Sequence, residues 1–303
     1  MKKVIIGSRG SRLALLQTNQ IRDILLETHP HLDIHIKIIR TQGDKNLNAP
    51  LHEIGGKAIF TAELEDALLH HHIDLAVHSL KDLPSILPDG LIYAGSPQRE
   101  DARDVFISNK WKTIDEVPQG GTIATGSSRR KAQLLQQRPD LHIQRLRGNM
   151  DTRLAKMDVC KWDGIITAAA AMHRLTFQER ISQYLNPDIF VPAGGQGALG
   201  LERASDRKDV KQILSAIIDK NTTCCCQAER IYLTKMEGGC FAPIGCWARI
   251  ERHAFYITAY SASEDGSQRY QKTLQGDILD AEKLALKLAD KMIQNGAREF
   301  KYQ

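Results

Sequence analysis

The sequence contains no long apolar run. Nothing in its 303 residues approaches the roughly 20 consecutive apolar residues that cross a bilayer. The longest candidate, Ile165 to Met172, is short and rich in alanine. The first residues, Met1-Lys2-Lys3-Val4-Ile5-Ile6-Gly7, run straight into a strand-like pattern and lack the apolar stretch and small-residue cleavage site of a signal peptide. A cytoplasmic protein without a membrane partner is therefore expected. Aromatic residues make up only 6%, which argues against stacking platforms for single-stranded nucleic acid. No H-E-x-x-H, C-x-x-C or G-x-x-x-x-G-K-[ST] pattern is present, so neither a metal site nor a nucleotide phosphate is indicated. Low-complexity tracts and a convincing internal repeat are also missing. The six cysteines do not suit a disulfide framework. Cys224, Cys225 and Cys226 are consecutive on a helical stretch, and in a reducing compartment they are expected as small core residues.

Apolar residues at 42% and charged residues at 25% are ordinary for a soluble globular protein, and the length calls for two or three domains. Lys3 to Ile6 read as a strand, and Leu13 to Leu26 as a helix that ends before His29-Pro30. Ile34 to Ile38 read as a strand, Phe60 to Leu69 as a helix and Ile73 to Val77 as a strand. This alternation predicts a largely parallel sheet. The pattern restarts with strands at Asp104 to Ile107, Thr122 to Thr125, Leu141 to Leu146 and Gly164 to Thr167, with helices at Ser127 to Gln137 and Asp151 to Met157 between them. A glycine-rich hinge, Pro192 to Gly200, is followed by helical periods at Asp206 to Lys220 and Thr222 to Met236. The last third reads as strands at Ala254 to Ser261 and Gln268 to Leu274 around the turn Glu264-Asp265-Gly266. A helix capped by Asp280 and stopped at Gly296 closes it. The pattern is that of two similar α/β domains followed by a small α+β domain.

The net charge of +5 suits either a nucleic-acid binder or an enzyme acting on an acidic small molecule, so the placement of the arginines decides. They concentrate at strand-to-helix loops: Gly7-Ser8-Arg9-Gly10-Ser11, Thr125-Gly126-Ser127-Ser128-Arg129-Arg130, and Arg147-Gly148-Asn149 with Arg153 behind it. Helix N-termini with serine and arginine nearby bind anions, and ligands of open α/β sheets sit beyond the strand ends. A single turn arginine is more often merely solvated; three such loops together point to carboxylate binding. Asp82, in His78-Ser79-Leu80-Lys81-Asp82-Leu83-Pro84, reads either as a turn aspartate or as a carboxylate at a cleft mouth. Cys240 sits in the tight loop Glu237-Gly238-Gly239-Cys240-Phe241-Ala242-Pro243-Ile244-Gly245 and, taken alone, reads either as a structural cysteine or as a thiol presented by its loop. His70, His71 and His72 end a helix, where imidazoles interact favourably with its dipole.

In combination these segments resemble the hydroxymethylbilane synthase (porphobilinogen deaminase) family through almost the whole chain. The most specific pieces are Val77 to Pro84, Arg147 to Arg153 and Gly238 to Gly245, supported by Gly7-Ser8-Arg9, Gly56 to Phe60 and Pro192 to Gly197. The resemblance implies two periplasmic-binding-protein-like α/β domains, residues 1–97 with 198–216 and residues 98–197, and a small α+β domain at 217–303. It implies a transferase of porphyrin (heme) biosynthesis that joins four porphobilinogen units head to tail with release of ammonia. The reaction is primed by a dipyrromethane cofactor bound covalently through Cys240. Asp82 falls on the family's catalytic aspartate, which bonds pyrrole N–H groups and stabilises the cation formed as ammonia leaves. Lys81, Ser127, Arg129 and Arg130 are implied cofactor contacts. Arg9, Ser11, Arg147, Arg153 and Arg174 are implied to bind substrate carboxylates. Lys57 and Phe60 fall on a segment over the site and Gln196 on the interdomain hinge. A monomer acting on a small molecule, with no nucleic-acid partner, is also implied.

This sequence departs from the family pattern in two places. Thr125-Gly126-Ser127-Ser128-Arg129-Arg130 stands where Thr-Ser-Ser-Leu-Arg-Arg is common, and Phe241 replaces a frequent glutamine. Neither change removes a group the chemistry requires. Two rival readings remain: a non-catalytic anion-binding protein of the periplasmic type, which leaves the thiol loop unexplained, and a nucleic-acid binder, which the scattered strand-end arginines disfavour.

Overall fold

A computed structural model describes residues 2–41, 61–236, 243–263 and 265–297. Along the chain lie β1 (Lys2–Ser8), α1 (Arg12–Thr28), β2 (Leu32–Ile38), α2 (Ala62–Leu69), β3 (Leu75–Ser79), a 3-10 turn (Leu80–Asp82) and β4 (Leu91–Gly95) in order. Next are β5 (Asp104–Ile107), β6 (Thr122–Thr125), α3 (Ser128–Gln137), β7 (His142–Arg145), α4 (Met150–Val159), β8 (Gly164–Ala168), α5 (Ala169–Arg174) and β9 (Gln183–Tyr184). Then come β10 (Leu199–Ala204), α6 (Lys208–Leu214), α7 (Lys220–Met236), β11 (Ile244–Glu251), β12 (Ala254–Ala262), β13 (Arg269–Gly276) and α8 (Ala281–Gln294). The chain divides into two compact units, Met1–Glu100 with Ala198–Thr223, and Asp101–Gly197 with Cys224–Gln303.

The first unit is built on a five-stranded sheet of order β2-β1-β3-β10-β4. One face packs Val4, Ile6, Leu75, Val77, Leu199 and Leu201 against Ile21 and Leu25 of α1 and Val210 and Leu214 of α6. The other face covers Ala76, Leu91 and Ala204 with Leu64 and Leu68 of α2. Burial on both faces explains why these strands read as continuous apolar runs. The second unit repeats the arrangement with a sheet of order β7-β6-β8-β5-β9. In both sheets the first two pairings are parallel and the last two antiparallel. The expected largely parallel sheet is thus a mixed one. The difference arises because β10 and β5 run against their neighbours, a long-range choice that periodicity does not encode.

Within the second unit, β11, β12 and β13 form an antiparallel sheet. Phe255, Ile257, Cys246 and Ala248 bury against Tyr232 and Met236 of α7 and Ala281, Ala285, Leu288, Ala289 and Met292 of α8. The α8 residues recur at helical spacing, which gives one apolar stripe facing the sheet. Cys225 and Cys226 are buried on α7 as core residues, and Cys224 is half-buried. The fold is therefore two similar α/β sheets with covering helices and a small C-terminal α+β part.

Two local expectations change. The helical period over Asp206 to Lys220 is broken into α6 and the start of α7, because Asp219 turns to accept the Thr222 N–H at 2.6 Å and so caps a new helix. Asp280 makes no capping bond; the chain enters α8 through a 3-10 turn whose cap is Asp277, accepting from Leu279 N at 2.8 Å, while Asp280 pairs with Lys283. Gly296 does adopt the left-handed conformation at φ 82° that ends a helix. No helix among the described residues is long and apolar enough to cross a membrane.

Candidate active site

In the first unit, β1 and β3 are parallel neighbours paired at Gly7 and Ala76. The loop Ser8–Ser11 and the turn Leu80–Asp82 therefore leave the sheet at the same edge. Ser11 caps α1 by accepting the Ala14 N–H at 3.3 Å, so its hydroxyl organises the helix start. Arg9 beside it is half-buried. The turn after β3 is held by its apolar residues: Leu80 and Leu83 are 2% and 4% exposed, and Leu80 N–H donates to Ala198 O at 3.0 Å. Alternation across this short turn leaves Lys81 half-buried and the Asp82 carboxylate exposed to solvent. An acid displayed on a fixed turn at a strand end can accept N–H hydrogen bonds and sit beside positive charge without paying for burial.

Beneath that turn lies a polar pair. His78 Nε2 lies 2.9 Å from Glu202 Oε2 in the interior of the unit. Glu65 of α2 is buried nearby; desolvation pushes its carboxyl up, and the Glu202 carboxylate adds to the rise.

In the second unit, β6, β7 and β8 are parallel, so the loops after them also open at one edge. Ser127 caps α3 by accepting the Arg130 N–H at 3.4 Å, and Asn149 caps α4 by accepting the Thr152 N–H at 2.9 Å. Gly126 fits because a Cβ there would stand 2.4 Å from the Leu146 carbonyl oxygen. Arg147 and Arg153 are half-buried, and Arg153 Nε donates to Gly148 O at 2.8 Å. Arg174 closes α5 and donates to Gly197 O at 2.8 Å.

Arg129 and Arg130 occupy a different setting from the other arginines. Both are buried, and both guanidiniums meet Asp104 at the start of β5, Arg129 Nη1 at 2.7 Å from Oδ2 and Arg130 Nε at 2.9 Å from Oδ1. Gln196 joins them, donating to Asp104 Oδ1 at 2.9 Å and to Ala102 O at 2.8 Å while accepting from Arg130 at 3.2 Å. Burial pushes the Asp104 carboxyl up, but the two guanidiniums outweigh it and hold the group at about 2. In the sequence Asp104 shows only as the first residue of a strand; an acid opening an apolar run, Asp104-Val105-Phe106-Ile107, is the signal it offers. Cys240, Lys57 and Phe60 lie outside the described residues.

Comparison with known sequences shows the family. Residues 4–212 match the family model described as porphobilinogen deaminase, dipyromethane cofactor binding domain, and residues 223–294 match the porphobilinogen deaminase C-terminal domain. The chain belongs to the porphobilinogen deaminase family. It is 43% identical to the porphobilinogen deaminase of Clostridium novyi (strain NT), over 95% of this chain and 97% of that one. Identity to the porphobilinogen deaminase of Bacillus cereus (strain AH820) is 44%, covering 99% and 97%. Among solved structures, a putative methionine-binding lipoprotein from Bacillus subtilis superposes with a TM-score of 0.44 at 10% identity, covering 72% of this chain and 91% of that one. A methionine-bound nutrient binding protein from Burkholderia cenocepacia gives 0.44 at 13%, covering 77% and 96%. Membership in the porphobilinogen deaminase family rests on the sequence relatives and not on these structural likenesses.

Proposed function

We propose that this chain is a hydroxymethylbilane synthase, a transferase that joins four porphobilinogen molecules head to tail, releases ammonia at each step and yields the linear tetrapyrrole of heme biosynthesis. The observation that carries the reading is the match of residues 4–212 to the family's cofactor-binding domain, together with Asp82 standing exposed on its turn after β3.

The residues present fit a dipyrromethane. Each pyrrole ring carries an acetate, a propionate and an N–H, which require cations and an acceptor. The strand-end loops hold the cations, Arg9, Arg147 and Arg153 at half-buried positions, and Asp82 offers the acceptor. When bound through the Cys240 thioether, the cofactor supplies the primer on which the chain is extended. Asp82 accepts hydrogen bonds from pyrrole N–H groups and lowers the energy of positive charge as ammonia leaves the substrate. Lys81, Ser127, Arg129 and Arg130 serve the cofactor. Arg9, Ser11, Arg147, Arg153, Arg174, Lys57 and Phe60 serve the incoming substrate, and Gln196 serves the hinge. Arg129 and Arg130 act from fixed positions, because Asp104 already orients both planar groups.

The reading extends to a cytoplasmic monomer of three parts, 1–97 with 198–216, 98–197 and 217–303, whose partner is porphobilinogen and neither nucleic acid nor membrane. Intact-mass measurement on denatured protein produced with porphobilinogen available tests it. An adduct of dipyrromethane mass that maps to Cys240 and disappears in Cys240→Ser is the expected result; protein without any adduct overturns it.

A further inference from the structure

Glu229 of α7 is fully buried, and each of its carboxylate oxygens accepts a backbone N–H. Oε2 accepts from Gly195 at 2.6 Å, and Oε1 accepts from Ala248 of β11 at 2.7 Å. A carboxylate is removed from water only where its lone pairs are met, and hydrogen bonds to an ionised acceptor are the strong ones. Here a single side chain ties a helix, a strand and a loop together.

The loop it holds also carries the arginine pair. Gly195 has φ 75°, in the left-handed region that glycine adopts without strain, and it immediately precedes Gln196. Gln196 in turn donates to Asp104, the shared partner of Arg129 and Arg130. A few residues earlier, Val191 O accepts from Arg129 Nη1 at 2.7 Å, and Val191 N donates to Gln133 Oε1 at 2.7 Å. On the opposite side, Pro192 O accepts from Cys246 N at 2.9 Å, and Gly245 lies against residue 191, where a Cβ would stand 2.8 Å from the carbonyl oxygen. Segment 191–196 is therefore bonded on one side to the arginine pair and on the other to α7 and β11. In the sequence, α7 ends at Met236 and β11 begins at Ile244, so Cys240 belongs to the connection between the two elements that Glu229 joins.

We infer that Glu229 is a positioning residue for cofactor attachment: it fixes segment 191–196 against α7 and β11 and so sets Arg129 and Arg130 in one frame with both ends of the connection that bears Cys240. The inference rests on the function proposed above. Its consequence is that loading of the cofactor depends on the Glu229 carboxylate as well as on the thiol and the arginines.

The test uses full-length protein produced without porphobilinogen and then given porphobilinogen, with adduct formation followed by intact mass. Glu229→Gln keeps the shape but turns an amide N–H2 toward one of the two N–H donors. It is expected to load at least tenfold more slowly while retaining native circular dichroism. Leu288→Ala, a cavity in the core of the C-terminal sheet away from the network, serves as the comparison for stability and is expected to load at the normal rate. Folded Glu229→Gln loading at the normal rate, or Leu288→Ala slowed to the same degree, overturns the inference. Failure of the unaltered protein to acquire an adduct counts instead against the proposed function. Should Glu229→Gln not fold, hydrogen exchange on the unaltered protein decides. The Gly195 and Ala248 amides are expected to be protected together, and a Gly195 amide exchanging like an exposed loop overturns the inference.

Discussion

His78 Nε2 and Glu202 Oε2 stand 2.9 Å apart, with side-chain exposures of 3% and 0%. His78 belongs to β3, the strand that ends in the Asp82 turn, and Glu202 belongs to β10, whose Gly200 pairs with His78. The second Glu202 oxygen is buried with no hydrogen-bond partner among the described residues, so the glutamate depends on the imidazole. Leaving either group alone in the interior should cost about 1–3 kcal/mol. A double-mutant cycle of His78→Leu and Glu202→Leu, read by urea unfolding, should therefore give a coupling energy of about 0.5–3 kcal/mol. Additive losses would show that the two side chains act separately.

Glu65 makes stability depend on pH in the same unit. Its carboxyl is raised by burial, so the folded state holds the proton more tightly than the unfolded chain. The contribution is complete below the ordinary glutamate value of 4.5 and is lost as pH rises through the raised value. Glu65→Gln removes that loss. The variant should gain on the parent protein in urea midpoint at pH 8 and show no such gain at pH 4; an equal difference at both values would refute the assignment.

Asp104 has the opposite sign. Held at about 2 by Arg129 and Arg130, it contributes stability that is full above the ordinary aspartate value of 3.8 and disappears as pH falls through about 2. Asp104→Asn leaves two buried guanidiniums without their shared carboxylate and should cost about 3–5 kcal/mol at neutral pH. Denaturant unfolding at pH 7 measures the loss, and an acid titration followed by circular dichroism should show the difference between the two proteins narrowing below pH 3.8.

Asp82 carries little structural duty, because it is exposed and its turn is anchored by Leu80 and Leu83. Asp82→Asn should change stability by no more than about 0.5 kcal/mol, yet reduce turnover by about 10²- to 10⁴-fold. Steady-state assays with porphobilinogen, beside thermal melts, separate the two effects. Near-normal turnover would remove Asp82 from its assigned role.

The local pattern was legible wherever structure depends on neighbouring residues. The strand-to-helix loops bearing Ser11 and Ser127 were legible, and the structure adds that both serines cap the helices that follow. The apolar run Ile73 to Val77 announced a buried strand, found at Leu75–Ser79, and placed Asp82 just beyond it. Family motifs added the roles of Asp82 and Cys240, which residue patterns alone left open.

Pairings distant in the sequence were decided only by the tertiary structure. Asp104 meets Arg129, 25 residues on, and Gln196, 92 residues on; His78 meets Glu202 across 124 residues; Glu229 meets Gly195 across 34. An isolated acid in a sequence looks the same whether it will be solvated at a turn or buried against a cation. The cost of burying an unmatched charge forces each of these groups to find a partner, and the identity of that partner depends on strand order and direction. The sequence by itself determined the family and placed Asp82 just beyond a buried strand. The folding of β5 and β10 against their neighbours decided that Asp104 meets Arg129 and Arg130 and that Glu202 meets His78.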